Sequence, residues 1–238
     1  MRGRTAVTDR DRQKRAAAAR AVEHVESGMR VGLGTGSTAW HVVDIIGDML
    51  REGTLRDIVA VPTSRATEEQ ARSAGIPMTA LDEVRELDLA IDGADEIDPQ
   101  LDLIKGLGGA LLWEKLVEYT AARLIIVADD SKLVQRLGEK GPLPVEVVPF
   151  GARALLPFFE SLGAQAQLRE QDGETFVTDG GHYIADLRFD GGMQDAAAVE
   201  RALRARPGVV ETGLFLGMAD VAVIAGAGGV REMQRSAR

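Results

Sequence analysis

Residues 87–115, LDLAIDGADEIDPQLDLIKGLGGALLWEK, place acidic, basic and glycine residues directly after two apolar segments. Leucine or isoleucine occupies every second position over the first five residues, which predicts a buried strand that ends at Asp92. A second extended piece at 101–104 leads to Lys105 and to a glycine-rich loop at 106–109, where a helix begins. Carboxylates, an ammonium group and backbone N–H groups therefore meet near strand ends. Such groups can move a proton and hold the resulting oxyanion.

A second glycine turn, GTGST at 34–38, follows a short predicted strand at 29–33 and precedes an amphipathic helix. This arrangement directs backbone N–H groups and the positive end of a helix at an anion. A dinucleotide fingerprint would need a third glycine where Ser37 stands, and a nucleotide P-loop would need a Gly-Lys-Ser/Thr sequence, so neither fits. Two alternatives remain, a turn without a ligand and a small phosphate site. The residues of that site would be Thr35, Gly36, Ser37 and Thr38.

Strand and helix patterns alternate through the first part of the chain. Right-handed crossovers between such strands predict an α/β fold, with a mostly parallel Rossmann-like sheet and helices on both faces. From residue 143 the order becomes β-α-β-β-α-β, which is typical of a ferredoxin-like α+β domain. An apolar strand at 221–224 returns to the first sheet. We therefore predict a catalytic domain of residues 1–142 and 217–238, with a small domain of residues 143–216 inserted in it.

Three further expectations concern where elements end. The first helix is rich in alanine and is expected to run from residue 8 or 9 to about residue 27, where a glycine follows. The last strand of the small domain is expected at 209–215. The polar tail after Gly229 is expected to fray.

Composition excludes several classes of function. The 238 residues carry a net charge of -9, whereas a nucleic-acid surface needs clustered basic residues, so no nucleic-acid partner is expected. Without cysteine the chain has no disulfide, thiol nucleophile or thiolate metal site. His24, His41 and His182 lack ligand spacing and are expected to be structural, and DGADEID does not follow a calcium-loop spacing, so neither metal nor cofactor is expected. No segment resembles a membrane span or a signal peptide, which predicts a soluble, cytoplasmic protein without a membrane partner.

Seven motifs stand together in the chain: GTGST at 34–38, Thr63 with Ser64, DGADE at 92–96, IKG at 104–106, EK at 114–115, ADDSK at 128–132 and PLPVEV at 142–147. Taken together they resemble the ribose-5-phosphate isomerase A family. That family implies interconversion of D-ribose 5-phosphate and D-ribulose 5-phosphate through an enediolate, in the non-oxidative pentose phosphate pathway. The only partner implied is a small sugar phosphate, and a metabolic enzyme of this size is expected to form a homo-oligomer, a dimer or a tetramer.

The resemblance assigns roles to individual residues. Glu114 falls at the position of the family's base, and burial would raise its pKa toward the working range. Lys105 and the amides of 106–109 are the natural donors to the enediolate oxygen. Asp92 would relay protons between the two sugar oxygens and help to open the sugar ring, Asp95 would orient hydroxyls or Lys105, and the division between the two aspartates stays open. The predicted substrate-binding residues are Thr35, Gly36, Ser37, Thr38, Asp92, Gly93, Ala94, Asp95, Lys105, Gly106, Leu107, Gly108, Lys132 and Lys14, the last near the phosphate.

Two residues depart from the family pattern, because Leu107 stands where glycine is common and Trp113 where a polar residue is common. Because of these two residues, the exact shape of the active-site loop is not predicted.

Two other functions compete with the isomerase. An amino-sugar-phosphate isomerase-deaminase would use a histidine for ring opening, and none lies between His41 and His182. A sugar-phosphate sensor would not need Glu114, and as a regulator it would carry a helix-turn-helix, for which the N-terminal helix is insufficient.

Overall fold

The computed structural model describes residues 8–235, in which strands and helices alternate along most of the chain. Two short 3₁₀ helices lie at Leu81–Glu83 and Asp130–Lys132. The other elements are α1 (Asp9–Val22), β1 (Arg30–Leu33), α2 (Ala39–Glu52), β2 (Val59–Pro62), α3 (Arg65–Ser73), β3 (Leu89–Asp92), β4 (Glu96–Ile97), β5 (Leu103–Ile104), α4 (Leu111–Thr120), β6 (Leu124–Asp129), β7 (Leu143–Val147), α5 (Ala152–Ser161), β8 (Ala164–Leu168), β9 (Glu170–Gln171), β10 (Glu174–Thr175), β11 (Tyr183–Phe189), α6 (Ala196–Arg204), β12 (Val209–Thr212), β13 (Leu214–Phe215), β14 (Val221–Gly226) and β15 (Gly229–Gln234).

Six strands form the largest sheet, in the order β15-β14-β6-β3-β1-β2. All neighbouring pairs are parallel except β14 with β15. Successive side chains of a strand point to opposite faces, and in β6 they belong to different apolar clusters. Ile125 and Val127 pack in the cluster that includes the alanines of α1, whereas Ile126 and Ala128 pack in the cluster that includes Phe215. Both faces are therefore buried, which confirms the predicted α/β fold with a mostly parallel, covered sheet.

Strands β7, β8, β11 and β12 form a separate antiparallel sheet in the order β12-β7-β11-β8. With α5 and α6 they follow one another as β-α-β-β-α-β. Their side chains contribute to an apolar cluster that includes Val145, Phe159 and Leu187. The short strands β9 and β10 pair with each other in the connection between β8 and β11. The division of the chain into domains at 142/143 and 216/217 stays a prediction.

The predicted end of the first helix is wrong. α1 ends at Val22 instead of near residue 27. The amides of His24 and Val25 donate to carbonyls three residues back, at Ala21 and Val22. Hydrogen bonds of this type tighten the last turn of a helix and finish it.

The predicted strand at 209–215 is two strands in two sheets, so that expectation is also wrong. β12 pairs with β7, whereas β13 pairs with β5 in a three-stranded sheet of order β13-β5-β4. Gly213 lies between them, where a Cβ atom would come within 2.4 Å of the Lys105 carbonyl oxygen and 3.0 Å of the Pro144 carbonyl oxygen. Its own N–H donates to Pro144 O, and its carbonyl accepts from the amide of Lys105. Glycine therefore permits the chain to pass between the two sheets.

The described part of the polar tail forms an edge strand where fraying was expected, and residues 236–238 of that tail lie outside the described residues. β15 pairs antiparallel with β14 through a turn at 227–228. Polar side chains suit such a strand, because one edge and much of its surface face water. Arg235 follows the strand and donates to the Leu101 carbonyl and to the Asp102 carboxylate. These contacts fix the end of the described chain. No helix within residues 8–235 is long and apolar enough to cross a membrane.

The loops that follow β1, β2, β3 and β6 lie next to one another. These four strands are parallel neighbours in the order β6-β3-β1-β2, so their carboxyl ends share one edge of the sheet. The loops contain residues 34–38, 63–64, 93–95 and 130–132. Most of the predicted site residues are therefore brought to this edge.

Candidate active site

Lys105 is at the centre of a buried group of charges. Its side chain is 2% exposed, and Nζ lies 2.9 Å from Asp92 Oδ2, 3.2 Å from Glu118 Oε1 and 3.6 Å from Glu114 Oε1. Nζ also donates to the Gly93 carbonyl at 2.7 Å. Asp92 ends β3, the lysine follows β5, and the two glutamates are one turn apart on α4. Three elements thus bring one ammonium group and three carboxyl groups together.

The pKa values of these groups reflect their burial. Burial raises the pKa of Glu114 from its ordinary 4.5 to about 8, although the positive charge of Lys105 opposes this effect. Burial likewise raises the pKa of Glu118 well above its ordinary value. For Lys105, burial lowers the pKa, but the surrounding carboxylates outweigh it and raise the pKa well above 10.5. At neutral pH the lysine is therefore charged, and Glu114 can both take up and release a proton.

A cleft of about 90 Å³ opens beside the charged group. Its wall comes from the GTGST loop, the turn after β3, the glycine-rich loop, the start of α4 and the 3₁₀ helix after β6. The lining residues are Thr35, Gly36, Ser37, Thr38, Gly93, Ala94, Asp95, Lys105, Gly106, Gly108, Glu114 and Lys132. Most of the residues predicted from the sequence therefore share one cleft.

Asp92 is buried behind this cleft and connects two of its loops. Its Oδ1 accepts hydrogen bonds from the amides of Thr35, at 2.9 Å, and Gly93, at 2.6 Å, while Oδ2 faces Lys105. At Gly34 a Cβ atom would lie 2.1 Å from the Asp92 carboxyl, so glycine is required for this approach. Asp92 thereby fixes the GTGST loop, the turn after β3 and the lysine relative to one another.

Cations and a helix end make part of the cleft suitable for an anion. Ser37 and Thr38 line the cleft immediately before α2, whose N-terminus has no side-chain cap. The Lys14 ammonium reaches this loop from α1 and donates to Ser37 Oγ at 2.8 Å. Lys132 also lines the cleft, and its Nζ lies 4.0 Å from Asp95 Oδ1. Uncapped amides, a positive helix end and two lysines suit a phosphate dianion.

Thr35 differs from the other residues of the GTGST loop, because its hydroxyl has other partners. It lies 2.7 Å from Thr63 Oγ1, 2.8 Å from Ser64 Oγ and 2.9 Å from Thr67 Oγ1. One hydroxyl offers one donor and two acceptor positions, so these contacts use its whole capacity. The Thr35 side chain therefore anchors the loop to the segment after β2 and to α3. The three residues that follow Thr35 are the remaining candidates for contact with an anion.

Two amides of the glycine-rich loop already have partners. The Leu107 amide donates to Asp95 Oδ2 at 2.9 Å, and the Gly109 amide donates to the Gly106 carbonyl at 2.9 Å. The Leu107 side chain is 39% exposed and does not line the cleft, although Leu107 is among the predicted substrate-binding residues. Gly106 and Gly108 do line it. Their amides are therefore the candidate donors to an oxyanion.

Sequence reasoning missed Arg169, which holds the glycine-rich loop from the antiparallel sheet. Its Nη1 donates to the Leu107 carbonyl at 2.8 Å, and its Nε donates to Asp186 Oδ2 at 2.9 Å. The guanidinium also lies 5.7 Å from the centre of the Phe176 ring. No motif marks Arg169, since the pair forms only through the register of β8 with β11. Glu118 was missed as well, although its spacing of four from Glu114 places both on one helix face.

Trp113 and the three histidines lie away from the cleft. Trp113 lines a separate groove together with residues near the start and end of α3. Each histidine faces an acidic side chain, His24 with Glu232, His41 with Asp11 and His182 with Glu146. Within residues 8–235, no three acidic or histidine side chains are arranged to hold a metal ion.

The chain is similar to known proteins over nearly all of its length. The model of a family described as ribose 5-phosphate isomerase A (phosphoriboisomerase A) matches residues 59–229. The ribose-5-phosphate isomerase A of Nitrobacter hamburgensis is 52% identical over 232 residues, which cover 94% of this chain and 98% of that protein. That of Rhodopseudomonas palustris is 51% identical over 235 residues, which cover 96% of this chain and 100% of that protein.

Solved structures agree with these relatives. A D-ribose-5-phosphate isomerase in complex with phospho-erythronic acid matches with a TM-score of 0.93 and 38% identity, covering 96% of this chain and 100% of that one. The ribose 5-phosphate isomerase of Plasmodium falciparum matches with a TM-score of 0.92 and 40% identity, covering 95% and 100%. From the family model, the relatives and the shared fold, the chain belongs to the ribose-5-phosphate isomerase A family.

Proposed function

We propose that this protein interconverts D-ribose 5-phosphate and D-ribulose 5-phosphate, the aldose-ketose isomerisation of the non-oxidative pentose phosphate pathway. The observation that carries the proposal is one cleft with two complementary parts. Glu114 and Lys105 lie at one part, and the uncapped start of α2 lies at another. A proton-transfer pair next to an anion site suits a phosphorylated sugar with an acidic C–H bond.

The reaction moves one proton between neighbouring carbons. In the open-chain aldose, Glu114 takes the proton from C2, and the electrons of that bond shift so that the C1 carbonyl oxygen becomes negative. The same carboxyl then delivers the proton to C1, while a hydroxyl proton moves from O2 to O1, which gives the ketose. No oxidant or reductant is consumed, because substrate and product have the same composition. A pKa of about 8 suits Glu114 to both steps.

The negative oxygen of the enediolate needs positive potential. Lys105 supplies it, together with the amides of Gly106 and Gly108. We assign the contact with the sugar hydroxyls to Asp95, because it lines the cleft. We assign Asp92 to holding Lys105, because its carboxylate is buried and faces Nζ. In this proposal the two aspartates have separate roles, which the sequence does not distinguish.

The phosphate binds the GTGST loop in this proposal, with Lys14 nearby. Support comes from the uncapped helix start and from the 2.8 Å contact of Lys14 with Ser37. One similar structure was solved with phospho-erythronic acid, and this cleft is suited to a phosphorylated acid of that kind. Binding energy from the phosphate then positions the reacting carbons, which are remote from it.

A coupled assay tests the proposal. Purified protein is given ribose 5-phosphate or unphosphorylated ribose, and ketose formation is measured. We expect rapid conversion of the phosphate and very poor conversion of free ribose. No ketose from ribose 5-phosphate would refute the function, and equal efficiency on both sugars would refute the phosphate site.

Charge stabilisation by Lys105 and by amides requires no metal ion. Dialysis against a chelator should therefore leave the turnover rate nearly unchanged. Loss of activity that magnesium or manganese restores would contradict this assignment and would make Asp92, Asp95 and Asp98 candidate metal ligands.

We further propose that the protein acts in the cytoplasm as a homodimer or homotetramer. Support for assembly comes from the outer side of α4, where Leu116 is 50% exposed and Tyr119 is 83% exposed. Sedimentation equilibrium should give a mass two or four times that of the chain, and a monomer would contradict it.

Support for the cytoplasmic location is the substrate, because a doubly charged sugar phosphate does not cross membranes unaided. Cell fractionation measures this directly, and recovery with an organelle would contradict it.

A further inference from the structure

Glu118 is a buried acid that the proposed mechanism does not use. It lies on α4 one turn after Glu114, and its side chain is 0% exposed. It is not among the residues that line the cleft, so it has no direct path to a substrate. Its Oε1 nevertheless lies 3.2 Å from the Lys105 ammonium. A carboxyl group in this position must affect the lysine that stabilises the enediolate.

Glu96 shows how this protein stabilises a buried carboxylate in its ionised form. Its Oε2 accepts from the Gly138 amide at 2.6 Å, and its Oε1 accepts from the amides of Lys140 and Gly141, both at 2.8 Å. Several backbone donors compensate for the water that the carboxylate loses. Glu96 therefore provides an internal reference for a buried negative charge.

Glu118 has no comparable set of donors. In the part of the chain that the structure describes, no hydrogen bond of good geometry reaches either of its carboxyl oxygens, and the Lys105 ammonium is the cation beside them. That ammonium is shared with Asp92, which is closer, and with Glu114. Even with Glu114 protonated near neutral pH, an ionised Asp92 and an ionised Glu118 would leave one uncompensated negative charge beside the ammonium in a buried space. A buried group in this situation takes up a proton, because an unpaired buried charge is far more costly.

The pKa of Glu118 is consistent with a proton on this carboxyl group. Burial raises its pKa well above the ordinary value, and the nearby negative charge of Asp92 acts in the same direction. Asp92 already accepts two amide hydrogen bonds, which stabilise its ionised form. The proton therefore belongs to Glu118.

We propose that Glu118 is protonated in the resting protein and that it acts as a neutral positioning residue for Lys105. Its Oε1 lies 3.2 Å from the Lys105 ammonium. The lysine is thereby held in place without a further negative charge beside it. This inference rests on the proposed function only for its consequence in catalysis, since the protonation itself is a property of the free protein.

The consequence concerns the enediolate. An ionised Glu118 would attract the Lys105 ammonium away from the cleft and would repel the negative oxygen that forms during the reaction. A neutral carboxyl still limits the motion of the ammonium, but it leaves the positive potential available to the substrate. The chain therefore needs an oxygen at this position and does not need a charge.

Infrared spectroscopy tests the protonation without turnover. Because Glu114 also holds a proton near neutral pH, the measurement uses Glu114→Gln, compared at pH 7 with the double variant Glu114→Gln/Glu118→Gln. We expect the double variant to lose the carbonyl stretch of a protonated carboxylic acid. Loss of the carboxylate bands would overturn the proposal. Two controls should lose carboxylate bands only. Glu96→Gln removes a buried carboxylate, and Glu86→Gln removes an exposed one and leaves the core unchanged. If the double variant fails to fold, the acid band must still be present in Glu114→Gln alone, and its absence would overturn the proposal.

Kinetics test the positioning role by comparing two neutral replacements. Glu118→Gln keeps an oxygen beside the ammonium, so kcat and KM should stay within about threefold of the parent, the scale of a weakened polar contact. Glu118→Met keeps size and neutrality without the oxygen, so kcat should fall about tenfold, the scale of one lost polar contact with the ammonium, with KM little changed. Equal kcat in both variants, whether high or low, would overturn the role. A protein with the acid band but no isomerase activity would contradict the proposed function alone, whereas carboxylate bands in an active enzyme would contradict this inference alone.

Discussion

Glu114→Gln keeps the length and most of the hydrogen bonding of the side chain but removes the carboxylate that takes up the substrate proton. A general base contributes at least about 10²-fold to a rate. We therefore expect kcat to fall by that factor or more, which is about 2.7 kcal/mol at about 1.36 kcal/mol for each factor of ten. The affinity for ribose 5-phosphate should change less than about tenfold, or about 1.4 kcal/mol, because the contacts of the GTGST loop are untouched.

The same substitution should stabilise the fold at alkaline pH. Burial raises the pKa of Glu114 from 4.5 to about 8, so the folded protein holds this proton more tightly than the unfolded chain. The stability that this proton provides is fully present below pH 4.5 and is lost as the pH rises to about 8. The complete loss is about 5 kcal/mol at about 1.36 kcal/mol for each pH unit, as an order of magnitude. Glutamine beside Lys105 recovers part of it, so we expect a gain of about 1 to 3 kcal/mol at pH 9 and little gain near pH 4.5.

Three measurements on parent and variant decide the matter. Calorimetry gives the affinity for ribose 5-phosphate, deuterium exchange at C2 gives the rate of proton transfer, and urea unfolding at both pH values gives the stability. Glu69→Gln removes an exposed carboxylate from α3 and should change none of them. A Glu114→Gln variant that exchanges the C2 proton as fast as the parent would show that Glu114 is not the base. A stability difference that does not grow with pH would show that its pKa is not raised.

Three further predictions follow from other contacts of the cleft. kcat/KM should rise about tenfold for each pH unit up to about pH 8, where Glu114 of the free enzyme ionises, and then level off because the raised pKa of Lys105 preserves its charge. A flat profile of kcat/KM below pH 8 would contradict this. Lys14→Met should raise KM for ribose 5-phosphate about tenfold, the scale of a hydrogen bond to a charged group, with kcat unchanged, whereas an equal effect on free ribose would place Lys14 away from the phosphate. Arg169→Ala should lower kcat about tenfold because the Leu107 carbonyl loses its donor, and Arg169→Lys should recover part of the lost kcat. An unchanged kcat in Arg169→Ala would show that the glycine-rich loop does not need this hydrogen bond.

The strands of the large sheet could be predicted because short apolar runs end at glycines and at polar turn residues. β6 is one such run, buried at every residue. The division of residues 209–215 could not be predicted, because both halves are extended and the difference lies in their partners. β12 pairs with β7, and β13 pairs with β5, which is distant in sequence. Only Gly213 marks the place, and a single glycine in a strand has several explanations.

The candidate site shows the same limit. Lys105 could be predicted because it leads from an extended segment into the glycine-rich loop, and Glu114 because it falls at the base's position in the motif of the family that the sequence resembles. The internal partners of the Thr35 hydroxyl could not, because they depend on how β1 and β2 lie beside each other. Arg169 depends likewise on a register between strands. The sequence reveals residue types near strand ends, whereas the share of their hydrogen-bonding capacity that stays free is a property of the packed structure.

The two residues of the EK motif have different tasks, although they are neighbours on α4. Glu114 faces the cleft, whereas Lys115 points to the segment where the chain passes from β12 to β13. Its Nζ donates to Glu211 Oε1 at 2.8 Å and to the carbonyls of Thr212 and Leu214 at 2.7 and 2.9 Å. An ammonium group has three donors, so all of them are used and none remains for a substrate. Lys115 therefore fixes the first turns of α4 against that segment. Because Glu114 is the preceding residue of the same helix, its position is fixed as well.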